Sequence, residues 1–273
     1  MTSGKESRFI EGVEKRVRLT YARYHRPEYL SIDPLVTVRN LRTREDREIG
    51  GFIAAMISYG RVECIIRNVE KLFSLMEHRP AQFAFTTGFA AKRRALNGFK
   101  HRFNDGDDLA LLLQAIASLA HGAGSMEPLL RTALDKSESG MRGALAQFID
   151  TIRNRAAEIS PETGESFFFL VPTPATGSAC KRLNMFLRWM VRPDDGIDMG
   201  VWKSIPTARL VMPVDTHIAK IARAERMTRR TTADWRMAEE ITARLRRIDP
   251  VDPVRFDFSL CRLGMTTLRK EAA

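Results

Sequence analysis

The chain has 273 residues, 44% of them hydrophobic, and its 44 Lys and Arg exceed its 33 Asp and Glu to give a formal net charge of +11. This size and apolar content indicate an ordinary globular protein with one large core or two interlocked ones. The positive charge favours polyanionic partners, of which nucleic acid is the commonest, although a protein that is merely basic stays possible on charge alone.

Cysteine usage and the amino-terminal segment exclude further classes of protein. Cys64, Cys180 and Cys261 are odd in number and far apart, so they form neither a disulfide framework nor a paired zinc signature. Residues 1–6 are polar and lead into no apolar run long enough for a signal peptide or a membrane span. We therefore expect a cytoplasmic protein with no membrane partner.

Two amphipathic helices are predicted near the start of the chain. Apolar residues recur at helical spacing from 43 to 60 and again from 61 to 78, and Glu45 and Asp46 give the first helix an acidic first turn. Ser58, Tyr59 and Gly60 lie between the two helices and are predicted to form the turn of a helical hairpin.

The rest of the chain is also predicted to be helical. Strand signals are scarce, so the fold class is predicted to be all-α. The apolar run 167–170 is too short to assign by periodicity and is interpreted as buried. Further helices are predicted over 107–121, from the N-cap Ser125 through 134, over 141–158, 182–191 and 232–248, and from Pro253 onward.

The segment 211–218, Val-Met-Pro-Val-Asp-Thr-His-Ile, places one carboxylate where an extended approach becomes a helix. Pro213 cannot continue a helix and favours extended backbone before it, whereas apolar residues after Asp215 recur at helical spacing. Asp215 is therefore predicted to be an N-cap. Most Asp residues at such junctions only accept a backbone hydrogen bond, so a catalytic role needs further support.

That support comes from a resemblance. Pro-Val-Asp-Thr-His-Ile before an Ala- and Arg-rich helix resembles the catalytic-aspartate segment of the helix-hairpin-helix/Gly-Pro-Asp DNA glycosylase superfamily, the endonuclease III type. Bifunctional members carry a catalytic Lys after a hairpin, a place that Gly177–Leu187 occupies here with Lys181. The separation of 215 − 181 = 34 residues is closer to that of archaeal 8-oxoguanine glycosylases. The whole chain also resembles a related bacterial family of unassigned reaction, through Arg44–Ile49 and Phe99–Phe103.

The resemblance implies a fold and a domain organisation. It predicts a two-lobed all-α architecture with an atypical hairpin and the active site between the lobes. Residues 1–44 and 195–273 would form a terminal lobe that carries Asp215, and residues 45–194 a central lobe that ends in the hairpin and the Lys181 helix. The four closely spaced C-terminal Cys of the iron-sulfur members are absent, so neither a cluster nor any other metal or cofactor is expected.

The resemblance also implies a reaction. Asp215 would stabilise positive charge on the sugar while the C1′–N bond to the base breaks. Lys181 would attack C1′ as a neutral amine and form a Schiff base that leads to strand cleavage. The expected activity is that of a monomeric base-excision DNA glycosylase with lyase activity, which acts on nucleoid DNA with a damaged base, an oxidised purine being one candidate.

Such an enzyme must bind the phosphates of the DNA backbone and hold the target base after it has rotated out of the duplex. Backbone amides at the predicted helix start would bind phosphate, and turn residues and aromatic rings would line the pocket, although each aromatic is more often core. The candidate DNA-binding residues are Gly177, Ser178, Ala179, Arg182 and His217, and the candidate pocket residues are Ser58, Tyr59, Arg61, Phe186, Trp189 and Trp202.

Two other classes of function stay open. A non-catalytic DNA-binding protein would use the same basic cleft and show salt-sensitive binding without base release. An RNA-binding or RNA-processing factor would instead prefer structured RNA over damaged DNA.

Overall fold

The computed structural model describes the backbone of residues 3–271 and the side chains of residues 11–265. It confirms the all-α prediction, because helices form most of the described chain. The first half contains α1 (Ser3–Tyr24), α2 (Leu35–Arg39), α3 (Arg44–Met56), α4 (Val62–Leu75), α5 (Pro80–Thr86), α6 (Phe89–Ala95) and α7 (Gly106–Leu119).

The second half contains the helices that carry the candidate catalytic residues. Short 3-10 helices at Pro27–Ile32, Pro174–Thr176, Thr207–Arg209 and Pro253–Phe256 connect longer elements. The α-helices are α8 (Glu127–Lys136), α9 (Gly140–Ile159), α10 (Glu165–Leu170), α11 (Lys181–Val191), α12 (Thr216–Ala224), α13 (Trp235–Arg246) and α14 (Asp257–Glu271).

A small β-hairpin is the one sheet in the described part of the chain. Strand β1 (Lys100–His101) pairs antiparallel with β2 (Asn104–Asp105), and Arg102 at the turn adopts a left-handed backbone with φ of 54°. This hairpin overlaps the stretch 99–103 on which part of the family resemblance depends. None of the described helices combines the length and apolar content needed to cross a bilayer.

Helix α3 is the central helix of the core. All of its residues from Glu48 to Met56 are buried, and it packs against α2, α5 and α11. Helix α9 packs against α7 and α8, whereas α14 packs against α1 and α12. The buried apolar side chains form one cluster that extends from α1 to α14. These contacts place the helix of Lys181 against the central helix, and the helix of Asp215 against the last helix.

The helix starts follow the capping chemistry of the sequence. Thr43 Oγ1 accepts a hydrogen bond from the Asp46 amide, and Asp105 begins α7 with a reciprocal capping box to Asp108. At α8 the prediction is wrong by one residue, since Met126 is the N-cap. The Ser125 hydroxyl still accepts a hydrogen bond from the Glu127 amide at 3.1 Å, so the residue contributes to the start of the helix.

Two other predictions need correction. Pro253 opens a 3-10 helix, and α14 begins only at Asp257. The run 167–170 is only half buried, because it forms the single-turn helix α10, whose Phe167 and Leu170 point into the core. Residues three apart share one face of a helix, so the two phenylalanines between them point outward.

The start of α7 has no room for a side chain at Gly106. A Cβ there would lie 1.9 Å from the backbone oxygen of Leu96. We expect Gly106→Ala to lower the free energy of unfolding by about 1–3 kcal/mol or more, measured by urea unfolding. Gly12→Ala, inside α1, meets only the end of the Arg16 side chain at 3.5 Å and should stabilise by about 0.5–1 kcal/mol. A Gly106→Ala variant that is as stable as the parent protein would contradict the close approach of Gly106 to the Leu96 backbone.

Candidate functional site

Asp215 is the N-cap of α12, as predicted. Its Oδ1 accepts a hydrogen bond from the Ile218 amide at 2.8 Å, and its Oδ2 lies 4.0 Å from the Cys261 Sγ of α14. The residue is half-buried. One carboxylate oxygen is therefore engaged in capping, whereas the other points toward α14.

Lys181 is the first residue of α11 and is also half-buried. Its Nζ lies 3.2 Å from the Met185 Sδ one turn along the same helix. The preceding residue, Cys180, adopts a left-handed backbone with φ of 44° and caps the helix without a side-chain hydrogen bond. This turn at Cys180 places Lys181 at the first position of α11.

Asp257, the first residue of α14, connects the two candidate residues. Its side chain is buried and accepts a hydrogen bond from Arg188 Nη1 at 2.5 Å. Burial raises the pKa of Asp257 to about 6, with Arg188 opposing that rise; the Asp215 carboxylate raises this pKa further and the Lys181 ammonium lowers it. Asp215 and Lys181 thus lie close enough to the same carboxyl group to change its protonation.

Cys261 completes this group, one turn after Asp257 on α14. Burial raises the pKa of its thiol to about 12, and the Asp215 and Asp257 carboxylates add to the rise, whereas Lys181 opposes it. The thiol therefore stays protonated at neutral pH and is a poor nucleophile. We refer to Lys181, Asp215, Asp257 and Cys261 as the candidate site. The sequence analysis missed its last two members.

A buried ionic network holds the candidate site in place. Asp198 accepts hydrogen bonds from Arg188 Nε at 3.0 Å and from Arg192 Nη1. Arg192 also pairs with Asp252 at 2.9 Å, and Arg188 pairs with Asp257. Burial lowers the pKa of Arg188, but the two carboxylates outweigh that effect and the net pKa is raised. Both guanidiniums remain charged, so they fix α11 to the start of α14.

The predicted phosphate-binding segment lies beside a basic cavity. Gly177 adopts a left-handed backbone with φ of 86°, and its carbonyl oxygen accepts a hydrogen bond from the Trp235 amide at 2.9 Å. Ser178 pairs with Asp234 in an isolated β-bridge, whereas the Ala179 side chain is buried. The cavity holds about 310 Å³ and is lined by Arg142, Ala175, Thr176, Gly177, Arg230, Asp234, Trp235 and Arg236.

Arg182 ties the start of α11 to the turn after α3. Its Nη1 donates to the Met56 carbonyl at 2.5 Å and its Nη2 to the Phe169 carbonyl at 2.5 Å. The guanidinium lies 5.1 Å from the centre of the Tyr59 ring, and burial lowers its pKa to about 10. Tyr59 is thereby brought beside the helix of Lys181.

The other predicted site residues differ in their exposure to solvent. Ser58 is buried and donates a hydrogen bond to the Ala54 carbonyl at 2.7 Å. His217 is half-buried, and its Nδ1 has no hydrogen-bond partner among the described residues. Arg61 is exposed as the N-cap of α4.

Three aromatic pocket candidates pack in the core. Phe186, Trp189 and Trp202 are each at most 1% exposed, and the Phe186 ring packs edge-on against Trp202 at 5.2 Å. They do not line an open surface, because the apolar face of α11 packs against α3. The structure therefore places these three rings in the core, whereas Lys181 and Asp215 are half-buried at the starts of α11 and α12.

The protein is therefore an all-α protein whose candidate site has charged residues at the starts of three helices, α11, α12 and α14. A family model described as "Protein of unknown function (DUF2400)" matches residues 33–266. The chain belongs to this family. No curated protein and no solved structure gives a significant match to the chain.

Proposed function

We propose that the protein is a base-excision DNA glycosylase with associated lyase activity, which acts on a damaged base in double-stranded DNA of the nucleoid. One observation carries the proposal: α11, which begins at Lys181, and α12, which Asp215 caps, both contact α14, since Arg188 of α11 pairs with Asp257 and the Asp215 Oδ2 lies 4.0 Å from the Cys261 Sγ. An amine that can attack C1′ once it has lost a proton, and a carboxylate that stabilises positive charge on the sugar, are the two groups that this reaction requires.

The reaction would proceed in two stages. The Asp215 carboxylate would stabilise positive charge on the sugar as the C1′–N bond breaks and the base leaves with the bonding electrons and acquires a proton. The Lys181 Nζ, after losing a proton, would form a bond to C1′, and opening of the sugar ring would give a Schiff base. Loss of a C2′ proton from that Schiff base would then form a C2′–C3′ double bond, and the 3′ phosphate would leave with the electrons of its C–O bond, which cleaves the strand.

The surroundings of the candidate site support DNA as the substrate. The cavity beside Gly177 is lined by Arg142, Arg230 and Arg236, whose guanidiniums are suited to phosphate oxygens, and by Asp234, which pairs with Arg230 at 2.6 Å. The net charge of +11 adds long-range attraction to DNA. The glycosylase-like division into a lobe of 1–44 with 195–273 and a lobe of 45–194, joined through an atypical hairpin, forms part of the proposal.

Borohydride trapping on a panel of damaged duplexes tests the proposal. We expect the parent protein to give a covalent protein–DNA adduct with at least one lesion, and Lys181→Gln to give none because the attacking amine is gone. Lys203→Gln removes an exposed lysine outside the candidate site and should leave the adduct intact. An adduct that persists in Lys181→Gln would assign the attack to another amine.

The same panel separates the alternatives. Salt-sensitive duplex binding by the parent, with neither adduct nor base release on any lesion, would favour a non-catalytic DNA-binding protein. Tighter binding of structured RNA than of every damaged duplex would favour an RNA factor.

A further inference from the structure

Two exposed phenylalanines lie beside the turn that Arg182 holds. Phe103, in the turn between β1 and β2, is 59% exposed, and Phe169 on α10 is 42% exposed. Single exposed apolar side chains are common on protein surfaces, whereas a contiguous apolar patch with polar residues around it indicates a binding surface. Packing in the core does not account for these two phenylalanines, since both side chains are exposed to solvent.

The two phenylalanines and Tyr59 form one group, which we call the ring cluster. The Tyr59 and Phe103 rings are nearly parallel, at 13° and with centroids 6.4 Å apart. Phe169 packs edge-on against both, at 5.0 Å from Tyr59 and 5.2 Å from Phe103. The Tyr59 hydroxyl donates to the His101 carbonyl at 2.9 Å, which fixes the turn to the β-hairpin. The cluster is therefore an ordered surface.

Cationic side chains accompany the ring cluster. The Arg182 guanidinium lies 4.9 Å from the centre of the Phe169 ring, and the Arg102 guanidinium lies 5.7 Å from the centre of Phe103. Arg182 holds the rings in place, whereas Arg102 is exposed. Exposed aromatic rings with an accessible cation beside them are the combination that binds single-stranded nucleic acid, because the rings stack on bases while the cation attracts the phosphates.

The position of the cluster links it to the candidate site. Arg182 follows Lys181 directly in α11 and contacts both Tyr59 and Phe169. Arg182 thereby fixes the ring cluster beside the first turn of α11. An acidic protein segment could also meet an apolar surface with cations beside it, but the basic cavity at Gly177 favours a polynucleotide for the whole region.

We propose that Tyr59, Phe103 and Phe169 form a stacking surface for an unpaired DNA base beside the start of α11. The inference rests on the proposed function but concerns a different step: recognition of an unpaired base before any bond is broken. Every base has a flat aromatic face, so this surface would select unpaired geometry and not base identity.

The test uses undamaged oligonucleotides, so that it does not depend on catalysis. A duplex with a single bulged 2-aminopurine is compared with a fully paired duplex at one fixed salt concentration, by affinity and by 2-aminopurine fluorescence. We expect the parent protein to prefer the bulged duplex and to quench its fluorescence. The double variant Phe103→Leu/Phe169→Leu should lose about fivefold or more of affinity for the bulge, and keep its affinity for the paired duplex.

Phe168→Leu is the matched control. Phe168 lies next to Phe169 on α10, is 41% exposed and has an arginine 5.1 Å from its ring centre, but its recorded ring contact is with Phe167 and not with the ring cluster. This variant should retain the preference for the bulge. Thermal unfolding of all variants checks that the fold is kept.

Three outcomes would overturn the inference. A parent protein with no preference for the bulge, or a double variant that keeps the preference, would remove the stacking role. Tighter binding of an RNA strand of the same sequence would overturn DNA as the occupant. If the parent protein gave no borohydride adduct but preferred the bulged duplex, only the proposed catalysis would be contradicted.

Discussion

Asp198→Ala is expected to lower the free energy of unfolding by about 3–5 kcal/mol, because it would leave two buried guanidiniums without their shared carboxylate. The Asp198 side chain is fully buried and pairs with Arg188 and Arg192, whose own side chains are 4% and 3% exposed. Neither guanidinium can reach water without disrupting α11. Urea unfolding of the purified variant, followed by circular dichroism, measures the loss.

Two controls separate the buried charge from ion pairing in general. Asp107→Ala removes a carboxylate that pairs with Arg93 at 2.7 Å on the open surface, where solvent screens the interaction, and it should leave stability nearly unchanged. Asp198→Asn keeps the shape of the side chain and one hydrogen-bond acceptor. Its decrease in the free energy of unfolding should therefore lie between those of Asp198→Ala and Asp107→Ala. Equal stability of Asp198→Ala and Asp107→Ala would contradict the network as a source of stability.

Helix positions were predictable from the sequence where local signals agreed. Helix α3 combines a capping threonine at 43, an acidic first turn and apolar residues at helical spacing, and it forms at Arg44–Met56. The N-cap position of Asp215 follows in the same way from Pro213 and the apolar periodicity after it. Each of these signals lies within a few residues of the feature that it predicts.

The candidate site was predictable only in part, because its geometry depends on packing between distant helices. Asp257 looks in the sequence like an ordinary acidic residue near a helix start, and only the contact of α14 with α12 and with Arg188 of α11 reveals its position. The exposure of Phe169 was missed for a related reason: an apolar run predicts burial, whereas a single-turn helix can bury only one face. The apolar periodicity of a single segment gives no information about its contacts with distant helices.

Asp215→Asn is expected to slow base release by about 10²–10³-fold while DNA affinity and stability stay close to those of the parent. The substitution removes the negative charge that would stabilise the sugar cation. It keeps an oxygen that can accept the Ile218 amide hydrogen bond, and Asn is as favourable an N-cap as Asp. Single-turnover base release on the lesion that gives the strongest borohydride adduct measures the effect.

Two substitutions at Asp215 decide between a catalytic carboxylate and a cap. Asp215→Asn keeps an oxygen that can accept the Ile218 amide hydrogen bond, whereas Asp215→Ala removes it. If capping were the whole role of Asp215, Asp215→Asn would leave base release unaffected. Asp215→Ala should cost about 0.5–2 kcal/mol of stability through the lost cap, an effect that Asn avoids. A rate loss in Asp215→Asn without a loss of stability therefore assigns the charge itself to the chemistry, and an unchanged rate would reduce Asp215 to a helix cap.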